Sequence, residues 1–455
     1  MKTWEKRFPK ALAALLVVLF VGLGASDGGV VKRRSLAART VRDNVQKLRA
    51  KRAVARRGVP RYASDRVLIR FRPAVSAAYG EGLLETYGFP SIRRIPAIGV
   101  YSVRTAPGVS VTETLAMLRR NPSIMQARPD YAARLAENPN DPYFPVYQHN
   151  LYNRGTFIDL GGGISFQTTA GADIKAVTAW DSVKGDPDVV IAVLDSGVDM
   201  THPELAAKIV SPGHDFVNDD DDATDDRWHG TLVAGIAAAD TDNSVGIAGV
   251  ARNCRVLPVK VADAGGSGWY SWVMDGIIWA VDQGADVINI SMGGEYDDPF
   301  LEDACRYAYD NGVVVVAAAG IDATAVLYPA AYDDYVLAVA VSDYDDAIDV
   351  DSPFGPEIDV AAPGVWIMGP IPQWAAGEGN PPYGFASGTS FAAPHVSGLA
   401  ALILSAKPWL SPAQVMGVIR YTADDINRAE YPGRDDHAGY GRINMERALA
   451  PYILK

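Results

Sequence analysis

Val189-Val190-Ile191-Ala192-Val193-Leu194-Asp195-Ser196-Gly197 is the stretch whose reading decides the fold. Six apolar residues, mostly β-branched, read as a buried parallel strand with a carboxylate at its carboxyl end. Apolar runs recur at residues 256–261, 286–291, 313–318 and 335–341, with helical patterns between most of them. The alternation predicts an α/β domain: a mostly parallel sheet with helices on both faces. In such sheets ligands and catalytic groups collect at the carboxyl edge, where Asp195 falls.

Two further segments give that carboxylate company. His229-Gly230-Thr231-Leu232-Val233-Ala234-Gly235 reads as a small-residue helix with a histidine in its first turn. Gly388-Thr389-Ser390-Phe391-Ala392-Ala393-Pro394-His395-Val396-Ser397-Gly398 puts a serine at the mouth of an apolar helix. Taken singly, His229 reads as a surface or capping histidine and Ser390 as a helix cap. Taken together, the three supply a nucleophile, a base and a carboxylate to orient that base. The N–H groups at the start of the serine helix are unpaired and favour an anion formed beside them.

Asp-Ser-Gly, then His-Gly-Thr, then Gly-Thr-Ser-x-Ala-x-Pro-His resembles the subtilisin-like serine peptidases, in the chain order that family uses. The similarity covers about residues 172–450. It implies peptide-bond hydrolysis with Ser390 attacking, His229 moving the proton and Asp195 fixing the imidazole; no catalytic cofactor is implied. The family grips a peptide as an added strand. The matching edges are Gly266-Ser267-Gly268 and Ser291-Met292-Gly293. Ala318-Ala319-Gly320, with Leu327 nearby, would wall the first pocket and favour an apolar residue before the cut bond.

The resemblance also implies structural calcium. Glu204 and the 240–247 loop match the family's strong site, with Asn243 as side-chain ligand and the carbonyls of Asp240, Val245 and Ile247. Asp219-Asp220-Asp221-Asp222 with Asp225-Asp226 resembles a second site, the alternative being a solvated acidic loop. Hard oxygen ligands favour calcium over transition metals. The match breaks at Ile321. The family places there an asparagine that donates to the oxyanion, and isoleucine has no donor, so a slowed peptidase is expected. Arg227-Trp228 ahead of His229 also departs from the common pattern. The alternatives are a catalytically impaired subtilase that binds peptide or regulates, and a carboxylesterase.

Composition frames this core. Lys2, Lys6, Arg7 and Lys10 precede an apolar run over residues 11–24, too short to span a bilayer but suited to a secretory signal over 1–26. Export to medium or periplasm is expected, with no membrane association after cleavage. A basic leader occupies 27–60. Residues 61–134 carry a β-α-β-β-α-β pattern, the ferredoxin-like arrangement, which looks like the inhibitory pro-domain of secreted subtilases. Strands are expected at 67–71, 92–95, 100–103 and 124–127, and helices at 81–87 and 111–120. Processing is expected between 131 and 140.

Residues 135–171 read as a connector and mature N-terminal segment, irregular over 145–171, with Gly161-Gly162-Gly163 as a flexible loop. The catalytic domain takes 172–455. Residues 27–134 hold 22 Lys and Arg against 7 Asp and Glu, whereas residues 135–455 hold 16 against 46. A basic segment ahead of an acidic domain suggests electrostatic complementarity between the two, the alternative being two solvated surfaces whose acidity serves solubility or cation binding. The resemblance makes the pro-domain an intramolecular inhibitor. The basic run lacks interleaved aromatics, so nucleic acid is not an expected partner. Polypeptide substrates are, and the chain reads as a monomer. Cys254 and Cys305 read as two free buried thiols.

Overall fold

The computed structural model describes residues 62–131, 138–161, 163–322 and 325–450. The expected signal peptide and leader, and most of the expected processing segment, lie outside them. The first described module has strands β1 (Tyr62–Phe71), β2 (Ile92–Ile95), β3 (Val100–Arg104) and β4 (Ile124–Tyr131), with helices α1 (Ala77–Thr86) and α2 (Val111–Leu118). Its strand order is β2-β3-β1-β4, all antiparallel. This is the expected ferredoxin-like module. Serines start both helices: Ser76 caps α1, and Ser110 forms a reciprocal capping box with Glu113 on α2. Val67, Ile69, Leu84, Val103, Leu115 and Leu118 fill its core.

The connector is more ordered than its sequence implied. A short helix, Phe144–Tyr147, is followed by an antiparallel hairpin of β5 (Phe157–Gly161) and β6 (Ile164–Gln167). Gly161 and Gly163 have φ of 76° and 85°, so these glycines make the hairpin turn rather than a loose loop.

Seven parallel strands form the main sheet: β7 (Val190–Asp195), β8 (His214–Asp215), β9 (Arg255–Lys260), β10 (Val287–Ile290), β11 (Val314–Ala318), β12 (Val336–Ser342) and β13 (Ile358–Pro363). The order is β13-β12-β11-β10-β7-β9-β8. From β7 the chain runs to β9 on one side and β10 on the other, so the strand order reverses between β7 and β10. A crevice opens at such a reversal, at the carboxyl ends of the strands.

Alternation along β7 assigns the two faces. Ile191 and Val193 pack with helices α3 (His229–Ala238) and, further along, α6 (Thr389–Ala406). Val190, Ala192 and Leu194 pack with α4 (Tyr270–Asp282) and α5 (Pro299–Asp310). Cys254 belongs to the first cluster and Cys305 to the second, so the sheet separates the two free buried thiols. Helix α6 is long and apolar enough to cross a membrane, but 83% of it is buried, as befits the central core helix.

Strand β13 and the antiparallel pair Ile367–Pro370 and Tyr383–Ala386 complete the domain. These were not read from the sequence. Asp359 interrupts β13's apolar run, and its carboxylate is instead absorbed by Arg420 Nε at 2.5 Å and the Ala338 N–H at 2.9 Å.

Candidate active site

Asp195 ends β7 and His229 begins α3. His229 Nδ1 lies 2.7 Å from Asp195 Oδ1, which also accepts the Ser196 N–H at 2.8 Å. Burial opposes charge on the imidazole, but the adjacent Asp195 carboxylate outweighs it, and the pKa of His229 is raised. Helix and strand can meet this closely because residue 230 is glycine. A β-carbon there would stand 2.1 Å from the Gly197 carbonyl oxygen.

Asp225, expected among calcium ligands, instead fastens the start of the histidine helix. Its Oδ1 accepts the N–H groups of Arg227 and Trp228, each at 2.9 Å, and its Oδ2 accepts the Thr231 N–H at 2.9 Å and hydroxyl at 2.5 Å. Ser196 donates to Asp225 at 2.9 Å and accepts the Gly230 N–H at 3.1 Å. A buried carboxylate is favoured at a helix N-terminus because several orphan N–H groups converge there. These bonds also hold Trp228 at φ 85°, a left-handed backbone that bulky residues avoid.

Ser390 is the second residue of α6, after Gly388 at φ 138°. Its hydroxyl donates to the Ser291 carbonyl at 2.9 Å, and the Ser291 hydroxyl donates back to the Ser390 carbonyl at 2.8 Å. Asn289 Nδ2 supports Ser291 Oγ at 2.9 Å, and Ser397 Oγ donates to Asn289 Oδ1 at 2.8 Å. This buried chain pins the serine helix to β10. Among the described contacts, the Ser390 hydroxyl is given to Ser291 rather than to His229 Nε2. Both side chains nevertheless line one cleft of about 330 Å³ with Asp195.

Gly266, Ser291, Met292, Gly293, Ala318, Gly320, Ile321 and Leu327 line the same cleft. Three expected groove residues do not. Ala319 is fully buried and spends its N–H on Val339 and its carbonyl on Leu327. Ser267 closes a turn on Asp263 with both its backbone groups. Gly268 packs against Val261 and Met292, where a β-carbon would meet them at 2.4 and 2.7 Å. Leu327 presses on Gly293 and Gly320, which gives the cleft an apolar wall at the place expected for the first pocket. Ile321 is 62% exposed at the cleft and offers no side-chain donor. Arg227 lines the cleft as well, and sequence reading had noted it only as a departure.

The expected calcium residues divide. The Asp219–Asp226 run is largely committed elsewhere: Asp221 to His214 at 3.0 Å, Asp226 to Lys260 at 2.7 Å, and Asp225 to the helix start. Among the described residues no group of three or more His, Cys, Asp or Glu could hold a metal ion. The first site keeps a donor set of a different kind. Glu204 is fully buried and accepts from the Ile247 N–H at 2.9 Å, Tyr383 at 2.8 Å and Asn243 Nδ2 at 3.2 Å.

Val245 donates its N–H to Asn243 Oδ1 at 2.7 Å, and the Asp240 N–H goes to the Glu204 carbonyl at 2.8 Å. Asp141, missed from sequence although it sits in the mature-start motif, is buried beside this loop. It accepts the N–H groups of Asp242 at 3.0 Å and Asn243 at 3.3 Å. Burial raises Asp141 and pushes Glu204 up to about 7. Two buried carboxylates and the Asn243 amide thus gather at this loop, as the calcium expectation requires, with their oxygens accepting from the loop's own N–H groups and from Tyr383.

Comparison with known proteins adds to this geometry. Residues 186–441 match the model of the subtilase family, and residues 48–130 match that of the fervidolysin N-terminal prodomain. A thermophilic serine proteinase of Bacillus sp. strain AK1 is 37% identical over 390 residues, covering 85% of this chain and 88% of its own. Thermitase of Thermoactinomyces vulgaris is 40% identical over 312 residues, covering 68% of this chain and 99% of its own. Among solved structures, a protease of Pseudoalteromonas arctica PAMC 21717 has a TM-score of 0.58 at 32% identity, covering 70% of this chain and 100% of that one.

Proposed function

The chain belongs to the subtilase family, and we propose on that premise that it is a secreted serine endopeptidase working through Ser390, His229 and Asp195. One observation carries the reading: the 2.7 Å bond from Asp195 to His229 stands in the cleft that Ser390 shares. Asp195 fixes the tautomer with the proton on Nδ1, leaving Nε2 free to take the Ser390 proton as Oγ attacks. For that transfer the Ser390 hydroxyl has to leave the Ser291 carbonyl and turn to Nε2. The Ser390 N–H, at the start of a helix, supports the oxyanion, and the acyl-enzyme is then hydrolysed by water with the same base.

Ile321 removes the second oxyanion donor. Loss of that donor costs about 10²–10³-fold in turnover, roughly 3–4 kcal/mol. The proposed enzyme is therefore slow. Its substrates are polypeptides with an apolar residue before the cut bond, and its own pro-domain is the proposed inhibitor. Glu204, Asp141 and the 240–247 loop would hold a calcium ion whose charge offsets the buried carboxylates. Chelation should then lower the unfolding temperature, with calcium restoring it.

Labelling with a serine-reactive fluorophosphonate tests the assignment. The protein should label, and Ser390→Ala should not; equal labelling of both would overturn it. A second reading, a subtilase that binds peptide without useful turnover, is favoured by Ile321 and by the Ser390 hydroxyl's bond to Ser291. Under that reading the protein stays full length in calcium just as Ser390→Ala does.

A further inference from the structure

Arg227 stands two residues ahead of His229, and its N–H is fixed by Asp225 at 2.9 Å. Its guanidinium lies against Gly266: a β-carbon on that glycine would come 2.4 Å from Arg227 Cζ and 2.5 Å from Nε. Glycine is therefore the residue that gives the arginine its seat. Nη1 reaches the Ala264 carbonyl at 3.2 Å. The nearby acids are engaged elsewhere, Asp225 with the helix start and Asp226 with the buried Lys260 at 2.7 Å. Among the described residues the guanidinium has no carboxylate partner, although residues 135–455 carry 46 acidic side chains.

The cleft gives this cation a definite neighbour. On the peptidase reading, the residue before the cut bond enters the part of the cleft lined by Ala318, Gly320 and Leu327. An extended peptide alternates its side chains between two faces. The next residue back therefore turns the other way, toward the side of the cleft carrying His229, Ser196, Arg227 and Gly266, since β10 stands between the ends of β7 and β11. A guanidinium meets a carboxylate with two parallel N–H donors, a geometry an amide or a neutral side chain cannot match.

We infer that Arg227 selects substrates carrying Asp or Glu as the second residue before the cut bond. This rests on the peptidase reading above for the register of the peptide in the cleft and for its catalytic consequence.

The test uses internally quenched peptides identical except for Asp, Asn or Lys at that position, cut by the full chain after incubation in calcium. The Asp peptide should exceed the Asn peptide in kcat/KM by roughly tenfold. Arg227→Gln should bring that ratio to about one, and Arg227→Glu should move the preference to Lys. A ratio near one in the unaltered protein, or one that survives Arg227→Gln, overturns the inference. Fluorescence anisotropy of the same peptides with Ser390→Ala separates this from failure of the peptidase reading. Tighter binding of the Asp peptide without any turnover supports the Arg227 assignment while removing the enzyme; equal binding of Asp and Asn peptides removes the assignment.

Discussion

Gly230 abuts Gly197 so closely that a single methyl group on residue 230 would lie 2.1 Å from the Gly197 carbonyl and 3.0 Å from Asp195 Cβ. The neighbour at 2.1 Å is backbone, so the helix bearing His229 must move. Gly230→Ala should therefore break the 2.7 Å Asp195–His229 bond. Overpacking of this kind costs about 1–3 kcal/mol. Peptidase activity should fall far more than stability, as measured by kcat/KM against the thermal midpoint. A variant with ordinary activity would mean the helix start tolerates displacement.

The raised pKa of His229 sets a pH profile. Asp195 stabilises the imidazolium against the effect of burial, so the acid limb of kcat/KM should lie above the ordinary histidine value near 6.5. Because the folded value is above the unfolded one, this group's contribution to stability is full below about 6.5 and is lost as pH rises through the folded value. Asp195→Asn should move the acid limb downward and lower kcat by about 10⁴. A limb that stays in place would separate the titration from this pair.

His149 and His395 titrate in the opposite sense. Burial holds both near neutral form, with values lowered to about 4. His395 accepts from Asn150 at 2.7 Å and donates through Nδ1 to the Phe391 carbonyl at 2.8 Å, which needs the neutral ring. Their contribution to stability is present above about 6.5 and is lost as pH falls toward about 4. The buried carboxylates Asp359 and Glu204 have raised values and slope the other way. A difference experiment isolates one histidine. His149→Phe, packing against Phe166 and Tyr344, should lose less of its thermal midpoint between pH 6.5 and 4 than the unaltered protein. Parallel losses would remove His149 from the acid sensitivity.

Asn289 should matter to turnover without touching substrate. It is fully buried and joins Ser397 to Ser291, whose hydroxyl holds the Ser390 carbonyl. Asn289→Ala leaves two buried hydroxyls short of a partner, at about 1–3 kcal/mol. Loss of kcat with little change in KM, at a temperature where the variant remains folded, is the expected outcome. An unchanged kcat would make the chain a packing device only.

How much of this was legible depended on range. Asp195, His229 and Ser390 announce themselves because each sits at the end of an apolar strand or the start of an apolar helix. The groove residues were read as contiguous triplets, but backbone geometry splits them: Ala319 turns its bonds inward to Val339 and Leu327 while Ala318 and Gly320 face the cleft. Asn289 and Ser397 are 108 positions apart. Nothing local in either marks the bond between them. Asp225 had a local signal, an acid just ahead of a helix start, but its place in an aspartate run made calcium the competing reading. Strand β13 was hidden because Asp359 and Pro363 break the apolar run by which its neighbours were recognised.

Ile321 offers the sharpest test of the proposed chemistry. The residue is largely exposed at the cleft rim and follows Gly320, whose carbonyl accepts from Thr389 at 2.5 Å, so the backbone here is anchored to the serine helix. A side chain can therefore be exchanged without moving the nucleophile. Ile321→Asn supplies an amide donor beside the Ser390 N–H and should raise kcat by about 10²-fold, the reverse of a donor deletion. KM should change little, because the oxyanion exists only in the transition state. Ile321→Ala, matched for loss of the isoleucine side chain but lacking a donor, should show no such gain. If the asparagine and alanine variants turn over alike, the missing amide is not what limits the chemistry. The misdirected Ser390 hydroxyl would then be the place to look, through Ser291 and the bond it holds.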